Sequence, residues 1–79
     1  MNTFEQVVKI ITSVMEDADA ASIRPESRFK EDLGAHSMDF VEMLYALEET
    51  FDVSTESLEL EHIRTVGDIV GFIEGAVAA

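Results

Sequence analysis

Three stretches of this chain place apolar side chains every three or four positions, and none alternates them every two. That periodicity admits helices and argues against a sheet. Phe4, Val7, Val8, Ile11, Val14 and Met15 mark a first amphipathic helix, with Thr3 as its expected N-cap. At about 100° per residue, Phe40, Met43, Leu44, Leu47 and Phe51 fall within one narrow sector, so a second helix from about Ser37 to Phe51 turns that sector inward. A last helix from about Thr65 carries Val66, Ile69, Val70, Ile73 and Val77 on one face. Gly67, Gly71 and Gly75 repeat every four residues on its other side. That spacing suits close helix packing in a membrane. In a chain without a membrane segment it reads as a weakened helix, at about 1 kcal/mol per interior glycine relative to alanine.

Between the first two helices, about Glu16 to His36 shows no clear period and carries Pro25 and Gly34. Uncovered loops of that length are uncommon in compact domains and tend to be functional. Ile23, Phe29 and Leu33 are its expected anchors to the core, with Pro25-Glu26-Ser27 as a turn. After Asp52-Val53-Ser54-Thr55, a short helix is expected over about Glu56 to Glu61 with Leu58 inward. The expected fold is therefore all-α: one domain, 1–79, built as a small four-helix bundle of three main helices and a short third one, with a long loop between the first and second.

Seventy-nine residues at 47% apolar content supply one modest core, too small to wall off a deep active site easily, which argues against an enzyme. A formal net charge of −12 argues against nucleic acid and anionic membranes as partners and predicts self-repulsion in the folded state. No cysteine is present, so disulfides are excluded and a reducing, cytoplasmic setting is expected. The start, Met1 to Gln6, lacks a basic, apolar signal pattern, and Val66 to Ala79 is too short and polar to span a bilayer.

Between Lys30 and Arg64 there is not one lysine or arginine. Inside that gap Ser37 stands where a turn becomes an acidic helix. Serine is a routine N-cap, but a hydroxyl at a helix's positive end is also a place to attach an anion such as a phosphate ester. It is a poor candidate nucleophile. His36 and Asp39 are too close in sequence to form a triad with it, His62 is the only other base, and the G-x-S-x-G elbow is absent. The acidic clusters lack the spacing of a calcium loop, so no metal site is expected. The second helix also bears a second apolar stripe, Met38, Val41 and Tyr45, bordered by Glu42, Glu48 and Glu49. A core-packed helix needs one stripe, so the second is either scattered surface hydrophobes, which are normal, or a docking strip, and its register beside the exposed serine favours docking.

Asp32-Leu33-Gly34-Ala35-His36-Ser37-Met38-Asp39 resembles the acyl carrier protein signature, Asp-Leu-Gly-x-Asp-Ser-Leu-Asp. The similarity continues through Val41-Glu42 and Ala46-Leu47-Glu48-Glu49-x-Phe51-Asp52, with weaker matches at Ile23-x-Pro25-x-Ser27-x-Phe29 and Thr65-Val66-Gly67-Asp68. The resemblance implies a four-helix carrier bundle, acting as a monomer, whose Ser37 carries 4′-phosphopantetheine, added from coenzyme A by a phosphopantetheinyl transferase. It implies that acyl groups ride on the terminal thiol as thioesters between enzymes of fatty acid, polyketide or specialised lipid synthesis. His36, Met38, Asp39, Val41, Glu42, Tyr45, Glu48 and Glu49 would then meet basic docking patches on those enzymes. Two positions depart from the pattern: His36 replaces the usual Asp before the serine, and Met38 the usual Leu after it. These departures fit a dedicated carrier as well as the carrier of fatty acid synthesis. The alternatives are a peptidyl or aminoacyl carrier of nonribosomal synthesis, disfavoured by the acidity, and an acidic helical binding module with no prosthetic group.

Overall fold

A computed structural model describes residues 1–56, 58 and 60–78. Three α-helices, α1 (Thr3–Val14), α2 (Ser37–Phe51) and α3 (Val66–Ala78), gather around one apolar core. Single 3-10 turns at Ala20–Ser22 and Leu60–His62 interrupt the connections. No strand occurs among the described residues, whose one β-type contact is an isolated antiparallel bridge between Arg28 and Thr65. The expected all-helical bundle is what forms.

α1 begins one residue earlier than expected. Asn2, not Thr3, is its cap: the Asn2 side chain accepts from the Glu5 amide at 2.8 Å while the Glu5 carboxylate accepts from the Asn2 amide at 3.1 Å. An Asn followed three residues later by Glu satisfies two orphan amides at once. Val7, Val8, Ile10 and Ile11 bury its inner face. α1 packs against both α2 and α3, meeting Met43 and Leu47 of the former and Val66, Ile69 and Ile73 of the latter in the shared core.

In the long loop, Ile23 and Phe29 are buried and Leu33 is half-buried against the core, as expected. The Pro25-Glu26-Ser27 turn closes through the Ser27 amide to the Arg24 carbonyl at 3.0 Å. The loop also holds a 3-10 turn the periodicity did not announce, Ala20–Ser22, capped by the Asp19 carboxylate on the Ala21 amide. The short helix expected over 56–61 contracts, in its described part, to the 3-10 turn Leu60–His62, with Leu58 half-buried as expected. Positions 57 and 59 of that span lie outside the described residues. So brief a segment forms few helical bonds for the backbone freedom it loses, and 3-10 turns are the usual outcome.

α3 starts on a reciprocal cap. The Thr65 hydroxyl accepts from the Asp68 amide at 3.2 Å, and the Asp68 carboxylate accepts from the Thr65 and Arg64 amides at 3.0 and 2.9 Å. Its inward face ends at Ile73. Val77, expected to continue it, is 59% exposed because the last turn runs past the core. The glycines divide. A Cβ on Gly67 would stand 3.0 Å from the Pro25 carbonyl oxygen, whereas Gly71 and Gly75 face open space. Gly67 alone serves close packing, and it serves a loop rather than a helix.

The candidate attachment serine and its cleft

The long loop reaches α2 along a path pinned to the start of α3. The Gly67 amide donates to the Pro25 carbonyl at 2.7 Å, the Val66 amide to Ser27 at 2.9 Å, and the Phe29 amide to Arg64 at 3.0 Å. A tight turn follows. The Asp32 and Leu33 amides both donate to the Arg28 carbonyl, the Ala35 amide returns to Phe29 at 2.8 Å, and Gly34 takes φ +67°. Glycine enters that left-handed region at no steric penalty. Asp32 locks the turn by accepting from the Arg28 amide at 2.8 Å and the Arg28 Nε at 3.3 Å. Those two bonds, the amide first, hold its carboxyl below the ordinary carboxylate range. Phe29 then meets Phe40 edge-to-face, with ring centroids 5.5 Å apart, and so sets where α2 begins.

His36 is the N-cap residue of α2, in extended backbone, and its amide donates to the Asp39 carboxylate at 3.0 Å. Ser37 is therefore the first helical residue and not the cap, which overturns the plain capping role. Its side chain is exposed, and its hydroxyl makes no hydrogen bond among the described residues. The Ser37, Met38 and Asp39 amides point out of the helix's first turn without intrahelical partners, a polarity that favours an anion there. Beside the hydroxyl opens a cleft of roughly 810 Å³, floored by Phe29, Phe40 and Ile63. An exposed, unengaged hydroxyl at a positive helix end, on the lip of a cleft of ligand size (about 300–1,000 Å³), fits a bulky phosphoester.

The docking residues expected on α2 separate in the structure. Met38, Val41 and Tyr45 are 69%, 42% and 66% exposed, so the second apolar stripe faces solvent. His36, Glu42 and Glu49 are exposed with it. Glu48 is different: its carboxylate accepts from the Thr55 amide at 2.8 Å and the Thr55 hydroxyl at 2.9 Å, and these bonds hold its pKa below the ordinary value. It ties the end of α2 to the chain that follows, and Asp39 is likewise engaged in its cap. Periodicity assigns a residue to a face but does not show which acids on that face are already occupied.

The cleft's other walls escaped the sequence reading. Arg28, Lys30 and Arg64 line it beside Ser37. Lys30 and Arg64 are the two ends of the lysine- and arginine-free gap, and that coincidence was the one signal available in the sequence. Only the loop's pairing with the start of α3 brings them together.

A family profile described as a phosphopantetheine attachment site matches residues 5–73. The chain is 46% identical over 74 residues to an acyl carrier protein of Helicobacter hepaticus, covering 94% of this chain and 96% of that protein. It is 45% identical over 71 residues to an acyl carrier protein of Clostridium acetobutylicum, covering 90% and 91%. An acyl carrier protein of Helicobacter pylori is 42% identical, with 94% of each chain covered. The match spans the pinned loop, the helix opened by Ser37 and the start of α3, and it carries similarity well above what a shared fold alone would need: the chain belongs to the acyl carrier protein family.

Proposed function

We propose that residues 1–79 form one carrier domain in which Ser37 holds 4′-phosphopantetheine through a phosphodiester. The domain would deliver acyl groups to enzymes of fatty acid, polyketide or specialised lipid synthesis in the cytoplasm. The bound group would supply a thiol, which a chain without cysteine otherwise lacks, and on which acyl groups travel as thioesters. The observation that carries this reading is the Ser37 hydroxyl, exposed and without a partner among the described residues, at the first position of α2 inside the matched attachment region.

The chain's own residues act on position and charge. The Gly34 turn and the Phe29–Phe40 contact hold the start of α2 against the loop, so the Ser37 oxygen is presented at a fixed place. The amides of the first turn face a phosphate there and stabilise its negative charge. No side chain of the described residues stands in hydrogen-bond contact with the hydroxyl, so the base that removes its proton is expected on the transferase. Met38, Val41 and Tyr45, flanked by Glu42 and Glu49, form an apolar strip with an acidic border suited to a basic, partly apolar patch. Like charge spread over the surface speeds encounter more than it deepens affinity, which suits a shuttle that must also leave.

The test is intact mass after incubation with coenzyme A and a broad-specificity phosphopantetheinyl transferase. The expected result is one phosphopantetheine added to the native chain and none to Ser37→Ala. Equal addition to both, or addition to neither, sinks the reading.

A further inference from the structure

The chain has seventeen Asp and Glu against five Lys and Arg, yet the cleft beside Ser37 reverses that balance. Three of the five cations, Arg28, Lys30 and Arg64, line it, against two of the seventeen acids, Glu31 and Glu61. Three minus two leaves the cleft at +1 within a chain whose formal net charge is −12. Arg28 is already engaged by Asp32 at 3.3 Å and Glu31 at 3.9 Å. Lys30 and Arg64 form no ion pair among the described residues; the charge of Arg64 is felt only as a minor influence on Asp68. All three cations are exposed, while Phe29 is buried and Phe40 and Ile63 are half-buried. The cleft therefore has a cationic rim over an apolar floor, and Ser37 lies on that rim.

That pattern matches a molecule with an anion at one end and a less polar body behind it. Resting on the proposed function, we infer that Lys30 and Arg64 pair with the phosphodiester once Ser37 is modified, and that the arm then lies folded along the cleft instead of projecting into solvent. Lys30 and Arg64 are thus positioning residues for the arm. Charge-assisted contacts to a phosphate are the stronger class of hydrogen bond, but at an exposed rim they weaken with salt.

The test measures how fast iodoacetamide alkylates the terminal thiol of the holo protein, for the native chain and for Lys30→Gln combined with Arg64→Gln. Intact mass first establishes that both carry the group. If neither does, the proposed function itself fails before any thiol is measured. A folded arm predicts that the double variant reacts at least roughly threefold faster at low ionic strength, and that high salt removes the difference. Simple electrostatics predicts the opposite: removing two cations makes the surroundings more negative, disfavours the thiolate and slows the variant. Equal or slower alkylation overturns the inference. A second measurement covers a variant that fails to fold: the native chain's amide resonances of Lys30, Ile63 and Arg64 should shift between apo and holo forms. If only the residues next to Ser37 shift, the arm is not in the cleft.

Discussion

Glu42 and Glu48 lie on the same helix, both off its core sector, and they do different work. Glu42 is exposed and has no partner among the described residues, while Glu48 holds Thr55 through two hydrogen bonds. The reversal Glu42→Lys should leave the melting temperature near that of the native chain and slow loading by the transferase roughly three- to tenfold at low salt, the deficit closing as salt rises. The reversal Glu48→Lys should lower the melting temperature as well, because it removes both bonds to Thr55 and leaves a repelled ammonium in their place. Thermal unfolding beside a loading assay separates the two, and equal melting temperatures would show that the Thr55 contact contributes nothing. The sequence could not distinguish these acids. The bond to Thr55 exists because Asp52 turns the chain back at φ 54°, a left-handed conformation not evident from periodicity.

At the scale of the element, α3 was legible as a helix, but the meaning of its glycine repeat was not. Three glycines at equal spacing look equivalent in sequence, and the fold sets one against a loop and leaves two in the open. Gly71→Ala and Gly75→Ala should each stabilise the protein by about 0.5–1 kcal/mol, by reducing the freedom of the unfolded chain at positions with room for a methyl group. Gly67→Ala should destabilise it, since its Cβ would press on the Pro25 carbonyl that also accepts the Gly67 amide. Urea unfolding of the three variants checks this, and a stabilised Gly67→Ala would mean that the loop yields without loss. The same contact explains why the long loop is not a floppy connection. Its backbone groups are met by the start of α3, and that pairing sets the place of Ser37.

Over the whole molecule, charge dominates. With −12 on 79 residues, the folded state repels itself, and moderate salt should raise the melting temperature over low salt. Equal values at low and moderate salt would count against that. Acid acts through other groups. Asp32, Glu48 and Asp68 all have pKa values lowered by bonds made only in the folded state, those of Asp68 coming first from the Arg64 and Thr65 amides. A lowered folded pKa contributes stability that is complete above the unfolded value, about 4, and is lost as the pH falls through the folded value. At a fixed, screening salt concentration the melting temperature should therefore fall on acidification below about pH 4, and Asp68→Asn should flatten part of that decline. A melting temperature that climbs steadily down to about pH 3 would show that relief of repulsion outweighs the bonds of these three carboxylates.

By itself the sequence determined the three helices, their inward faces, the solvent-facing stripe on α2 and the serine that opens it. Each of these follows from residues within a few positions of one another, where helical periodicity and hydrophobic burial are enough. Which residue caps α2, which acids are occupied and what surrounds Ser37 were decided only by tertiary structure. Those outcomes depend on backbone groups of a loop meeting the start of a helix more than thirty residues later, as the Phe29 amide meets the Arg64 carbonyl. That meeting brings Lys30 and Arg64, the two ends of the cation-free stretch, together beside the hydroxyl. What reads in the chain as an absence of positive charge becomes, in the fold, the two ends of that gap meeting at a recess lined by three cations.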